Sequence, residues 1–243
     1  MARADRSRRV WLFDLDNTLH DASHAAFGPT NQAMNDYIAT HLGTSGERAT
    51  ELRQHYLVRY GATLLGLVRH HGVSAAHFLE ETHRLPGLEQ RLRTSRHDRA
   101  VLERLPGRRY ILTNAPRRYA MRVLETLGLA RAFDGIVCIE DMQMFGSLRP
   151  KPDARMFRRL LARLRAQPAD CVLVEDTLAH QKAACRIGMR TAWMQRYLEG
   201  RYRGPLPGGT NLGKKPRRAG VHPCPKPPYV YAKIKSLHPL RRL

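Results

Sequence analysis

Residues 8–21 read RRVWLFDLDNTLHD, and two aspartates one residue apart, Asp14 and Asp16, close an apolar run. Val10-Trp11-Leu12-Phe13 has the length and composition of a strand buried on both faces. A carboxylate carried to the end of such a strand leaves water, so it needs a cation or a hydrogen-bond partner there. Two readings are open on this stretch alone. In one, Asp16, Asn17 and Thr18 form a polar turn and cap a following helix. In the other the pair does chemistry, and its partners lie elsewhere in the chain.

Outward from this stretch, four further runs of strand length appear: RRYILT (108–113), GIVCIE (135–140), CVLVED (171–176) and MRTAWM (189–194). Between them lie amphipathic helical segments, YAMRVLETLGL (119–129), ARMFRRLLARLR (154–165) and LAHQKAACRIG (178–188). Alternation of this kind builds an α/β fold, a Rossmann-like parallel sheet with helices on both faces. Ligands of such sheets sit at the carboxyl ends of the strands. Asp14, Thr113, Glu140 and the Glu175-Asp176 pair fall there. Between the first two strands, four helical segments (24–43, 47–61, 62–72 and 75–85) predict an all-helical insert placed over those strand ends. The expected division is a core of residues 1–19 and 101–198, with a helical cap at 20–100. A basic, Pro- and Gly-rich flexible segment follows at 199–228, then a C-terminal strand or docked tail at 229–243, where YVYAKIKSL alternates like an edge strand.

With 243 residues and 42% hydrophobic residues the chain can bury a sizeable core. No apolar run approaches the ~20 residues of a membrane span, and the charged start MARADRSRRV is no signal peptide. A cytoplasmic location without membrane attachment is therefore expected. Four scattered cysteines without C-x-x-C spacing predict neither a zinc site nor a disulfide framework. The net charge of +21 raises nucleic acid as a partner. Its distribution argues against that: eleven Lys and Arg and no acidic residue lie from Arg201 to Leu243, and the rest line the solvent side of helices. Interleaved aromatics for base stacking are missing.

Four elements now stand at strand ends: Asp14-x-Asp16-x-Thr18, Thr113-Asn114, Lys151 in LRPKPD (148–153), and Glu175-Asp176. In this order on this alternation they resemble the four motifs of the haloacid dehalogenase-like hydrolase superfamily, over roughly residues 8 to 198. The resemblance implies a Mg²⁺-dependent phosphatase. Asp14 would be the nucleophile, forming an aspartyl-phosphate, and Asp16 the acid and base. Thr113, Asn114 and Lys151 would bind the phosphoryl group. Asp14, the backbone carbonyl of Asp16, and Asp176 would hold the metal, with Glu175 behind them on metal-bound water. The physical logic agrees, since a carboxylate nucleophile facing a phosphate dianion needs a cation between them. Dehalogenases of the superfamily lack the second aspartate, because a halide needs no proton to leave; Asp16 therefore points to phosphoryl transfer. The helical insert resembles the type-1 cap, which suits small substrates.

FDLDNTLHDASHA (13–25), ATLLGLVRHHG, LTNAP (112–116) and RPKPD resemble the pyrimidine 5'-nucleotidase branch, implying a nucleoside monophosphate as substrate. Two other readings are a sugar-phosphate phosphatase or mutase on the same fold, and a basic nucleic-acid-binding protein with a relic fold. Asn31, Arg59, Tyr60, His70 and His71 on the insert are candidates for substrate choice. His20 and Asp21 would line its hinge, and Arg117 could reach a base or ribose. One departure from the pattern is His180, where the superfamily usually has Asn.

Overall fold

The computed structural model describes residues 8–93, 95–198 and 225–243. Six strands form one sheet and two more a small hairpin. In chain order they are β1 (Val10–Phe13), β2 (Arg108–Leu112), β3 (Gly135–Val137), the hairpin strands β4 (Gln143–Met144) and β5 (Ser147–Leu148), then β6 (Cys171–Glu175), β7 (Arg190–Met194) and β8 (Ala232–Ile234). The sheet order is β3-β2-β1-β6-β7-β8, with every pairing parallel. The chain steps outward from β1 to β3 and then crosses back to lay β6 on the other side of β1. That reversal opens a crevice beyond the carboxyl end of β1, between β2 and β6. Phe13 is paired with both Ile111 and Val174, so Asp14 emerges level with Glu175. The Asp14 backbone N–H donates to the Val174 carbonyl at 2.9 Å.

Side-chain alternation along the strands makes two cores. Trp11 and Phe13 face one side with Ile111, Val172 and Val174; Val10 and Leu12 face the other with Leu112, Cys171 and Leu173. Among the described residues, seven α-helices lie between β1 and β2: α1 (Ala22–Ala25), α2 (Phe27–Leu42), α3 (Gly46–Tyr60), α4 (Thr63–His71), α5 (Ala75–Thr82), α6 (Leu88–Arg91) and α7 (Arg96–Arg104). Three more, α8 (Arg117–Thr126), α9 (Ala154–Leu164) and α10 (Leu178–Arg186), connect the later strands. The α8 stripe Tyr119, Ala120, Val123 and Leu124 seals the first face, and Met156, Phe157, Leu160, Leu161 and Leu164 of α9 seal the second. Truncating fully buried Phe157 to Ala should cost roughly 3–5 kcal/mol. Gly107 is forced where the chain enters β2, because a Cβ there would lie 2.2 Å from the Arg9 carbonyl oxygen.

Helices α2 to α5 pack around a core of their own, Tyr37, Ile38, Ala49, Tyr56, Leu64, Leu67, Phe78 and Leu79, which Ile139 joins from the loop after β3. Gly66 lets α4 lie against α3; a Cβ there would run into the Tyr56 ring. Leu85, Leu88, Leu92 and Leu102 pack with the sheet core instead, as do Ala25 and Ala26. Within residues 229–243, β8 pairs in parallel with β7 as the last strand of the sheet, and Leu237 and Leu240 are buried behind it. The basic segment expected at 199–228 lies outside the described residues as far as 224. No helix of the described residues is long and apolar enough to cross a membrane.

Candidate active site

Four charged side chains meet at the crevice. Lys151, 1% exposed, reaches from the loop before α9 and donates from Nζ to Asp14 Oδ1 at 2.7 Å and to Glu175 Oε2 at 2.8 Å. Its backbone is held by Asn114, whose Nδ2 donates to the Lys151 carbonyl and whose Oδ1 accepts from the Lys151 N–H, both at 3.0 Å. The amide thus stands in for one rung of a β ladder, between residues 37 positions apart. Thr18 donates to the other Asp14 oxygen at 3.3 Å. Glu175 also accepts the Thr177 N–H at 3.1 Å, and His180 Nδ1 lies 3.0 Å from its Oε2. Asp176 is placed by Trp193, whose indole N–H donates to the Asp176 carbonyl at 2.9 Å.

The charge is unbalanced, with one ammonium facing three carboxylates. Burial, reinforced by Glu175, pushes the Asp14 carboxyl up to about 8 even with Lys151 pulling it down. Burial and repulsion from Glu175 and Asp14 push Asp176 up to about 9. Glu175 goes the other way: against its burial, Lys151 and His180 hold it well below the usual carboxylate range. Oxygen atoms of Asp14, Glu175 and Asp176 all lie within 4.8 Å of one another. An all-carboxylate donor set short of positive charge fits a hard divalent cation such as Mg²⁺.

Asp16 lies in different company. Its Oδ1 accepts from the Tyr119 hydroxyl at 2.7 Å and sits 2.9 Å from His20 Nε2. Tyr119 and His20 are both buried, while the Asp16 side chain keeps 20% exposure. The turn between them is shaped by Asn17, at φ 55°, a left-handed conformation that Asn tolerates better than most residues. Asn17 Oδ1 accepts from the Ser23 N–H at 3.0 Å and hydroxyl at 2.8 Å, and Asp21 caps α1 through the His24 N–H. Capping therefore falls to Asn17 and Asp21, which leaves Asp16 and Thr18 to the crevice.

The model of haloacid dehalogenase-like hydrolases matches residues 9–188, which spans β1, β2, β3 and β6 of the sheet, the crevice and all four motifs. The chain belongs to this family. It is also 26% identical over 200 residues to phosphate metabolism protein 8 of Saccharomyces cerevisiae, a match over 76% of this chain and 61% of that protein. Among solved structures, a HAD phosphatase from Thermococcus onnurineus superposes with a TM-score of 0.58 at 20% identity, covering 96% of each chain. The HAD-hydrolase YfnB of Bacillus subtilis, described as putative and bound to magnesium, superposes at 0.56 and 17% identity, covering 96% of this chain and 97% of its own. These two likenesses concern the fold.

In this haloacid dehalogenase-like hydrolase the remaining sequence candidates fall in distinct places. Thr113 is buried at the end of β2, its Oγ accepting from the Ala115 N–H at 3.0 Å. Asn114, expected at the phosphate, is engaged on the Lys151 backbone. Arg117 is tied to the turn after β3: its N–H donates to Glu140 at 2.9 Å and its guanidinium pairs with Asp141. On the helical layer Tyr60 bonds His70 at 2.6 Å and Tyr56 bonds His71 at 2.8 Å. Arg59, Tyr60 and His70 line a surface cavity of about 550 Å³ with Arg48, His55 and Tyr56, whereas Asn31 accepts from Arg53 at 3.1 Å. Thr18 belongs to the first motif without a role of its own in the sequence, and Tyr119 carries none either. Tyr119 sits in the apolar stripe of α8 and reads as core; its only signal is that a buried phenol needs a partner.

Proposed function

We propose that the chain is a Mg²⁺-dependent phosphatase of small phosphate monoesters, acting through an aspartyl-phosphate on Asp14 and preferring pyrimidine nucleoside 5'-monophosphates. The observation that carries this reading is Asp16: a partly exposed carboxyl two residues from the buried Asp14, at the same crevice, as an alkoxide leaving group requires and a halide does not. In the first step an Asp14 oxygen attacks phosphorus as the ester P–O bond breaks, and the leaving oxygen takes its proton from Asp16. In the second, Asp16 takes a proton from water, the water oxygen attacks phosphorus, and the acyl-phosphate bond breaks to return Asp14 and release inorganic phosphate. Lys151 and Thr113 neutralise and orient the phosphoryl oxygens, where charge spreads in a loose transition state. Asp14, Asp176 and the backbone carbonyl of Asp16 would hold Mg²⁺, with Glu175 behind them, and the ion would supply the charge that lets a carboxylate meet a phosphate dianion.

Helices α2 to α5, within the insert at 20–100, act in this reading as a cap that excludes water and selects the leaving group. The name of the yeast relative, phosphate metabolism protein 8, agrees with phosphate chemistry; this chain spans 61% of that protein's length. The pyrimidine preference rests on the likeness of the first motif, the α4 region and the Thr113 and Lys151 loops to pyrimidine 5'-nucleotidases. The test is phosphate release with Mg²⁺ from uridine, cytidine, adenosine and guanosine 5'-monophosphates, sugar phosphates and 2-haloacids. Turnover of haloacids without turnover of any phosphate ester would overturn the reading.

A further inference from the structure

Among the described residues, the Asp16 carboxyl is gripped on one oxygen only. Tyr119, from α8, donates its hydroxyl to Oδ1 at 2.7 Å, and His20 presents Nε2 to the same oxygen at 2.9 Å. The two donors are themselves 3.4 Å apart, and both are buried. His20 Nδ1 has no partner among the described residues, so the ring hydrogen bond runs through Nε2 towards Asp16. Behind Tyr119 stands His83, its ring edge-on at 5.7 Å, on the chain leaving α5. That chain is fastened to α8 by Arg122, which donates to the carbonyls of Arg84 at 2.6 Å and Leu85 at 3.3 Å.

We propose that Tyr119 and His20 are positioning residues that clamp Oδ1 of Asp16 and so leave Oδ2 as the oxygen that exchanges the proton with the leaving group and then with water. The clamp deepens the proposed phosphatase reading and rests on it. An aspartate has two equivalent oxygens and a free χ2, and an unclamped one would offer its proton in many directions. Two donors on one oxygen fix the rotamer and exclude a proton from that oxygen. The need for such a device is confined to substrates whose leaving oxygen must be protonated.

The experiment compares Tyr119→Phe, His20→Leu and His20→Gln with wild type and Asp16→Asn, on a ribose 5'-phosphate ester and on p-nitrophenyl phosphate at saturating Mg²⁺. Tyr119→Phe keeps the ring and the packing, and His20→Gln keeps an amide N–H near the position of Nε2. Removing either donor should lower the ratio of the ribose-ester kcat to the p-nitrophenyl kcat about tenfold, with KM little changed. His20→Gln should restore most of that ratio, and Tyr119→Phe should add nothing in the Asp16→Asn background. Equal losses on both leaving groups would overturn the clamp, as would a Tyr119→Phe loss that persists in Asp16→Asn. If Asp16→Asn shifts the ratio and the clamp variants do not, the clamp fails alone; if Asp16→Asn does not shift it, the acid-base reading of Asp16 fails as well.

Discussion

Asp14 and Asp16 leave the same strand end two residues apart and enter opposite environments. Asp14 is set among ions, with Lys151 at 2.7 Å and Glu175 and Asp176 near enough to share a cation. Asp16 is set among hydrogen-bonding rings, a phenol and an imidazole, with part of its side chain still in contact with water. In the proposed mechanism the first, pushed up to about 8 by its burial, would be ionised by the cation its cluster suits and so be ready to attack. The second, held by a phenol and an imidazole at the edge of solvent, is the one proposed to give and take a proton. Placing two carboxyls in contrasting surroundings is how one short motif can supply both kinds of chemistry.

The contrast can be broken most severely at Asp14. Asp14→Asn should lower phosphate release at least about 10⁴-fold with the fold intact, since the amide fills the same space but cannot attack. Circular dichroism with a sensitive phosphate assay checks this, and retention of more than a few per cent of activity would remove Asp14 as nucleophile. Asp16→Asn should cost about 10²-fold or more on ribose esters and far less on p-nitrophenyl phosphate, whose leaving group needs little protonation. A flat leaving-group profile would erase the proposed difference between the two aspartates.

Asp176→Asn should act on the ionic side alone, raising the Mg²⁺ needed for half-maximal rate by roughly 10–100-fold for every leaving group. Metal titrations on two substrates suffice, and a shift on one substrate only would contradict it. The same side governs the pH response of the metal-free protein. Asp14 and Asp176 are raised in the fold to about 8 and about 9, whereas the unfolded chain ionises them at about 4. Between those values the folded state holds more protons than the unfolded state, so stability falls as pH rises. Thermal unfolding in EDTA should therefore show a melting temperature dropping from pH 5 to pH 9, and saturating Mg²⁺ should flatten the drop. A metal-free profile that rises over this range would show that the two carboxyls are not raised.

The smallest effect concerns the leaving group. Uridine and cytidine 5'-monophosphates should exceed purine nucleotides in kcat/KM, by no more than the roughly 1–3 kcal/mol that misfit of one group supplies. Hexose phosphates should be poorer still. A purine or sugar preference would discard the pyrimidine assignment and leave the two aspartates in their places.

The chain is most legible from its residues where chemistry interrupts a pattern. Asp14, Thr113 and Glu175 each end an apolar strand, and five of the six sheet strands are visible as apolar runs for the same reason. Lys151 is marked by its motif, although a loop flanked by prolines does not reveal its burial between Asp14 and Glu175. Asn114 was expected on the phosphate because it follows Thr113; its pairing with Lys151 depends on two loops meeting across the β1 reversal. Tyr119 was hidden because its helical spacing is that of the core, and its hydroxyl becomes informative only when α8 is laid on the sheet. On the helical layer, Tyr60 and His70 were placed together as candidates, while their bond to each other needed the crossing of α3 and α4.

The edge strand β8 carries a practical consequence for dissecting the molecule. Because Ala232–Ile234 complete the sheet and Leu237 and Leu240 lie in its core, the last residues hold the structure together while a strongly basic stretch precedes them. Cutting the chain after Leu198 would strip a hydrogen-bonded neighbour from β7 and bare an apolar edge prone to self-association. Excising residues 200–224 and rejoining the ends through a short glycine-rich bridge removes the positive charge and keeps the sheet closed. Any role of that charge in solubility or in attraction to polyanions is thereby separable from catalysis within one polypeptide.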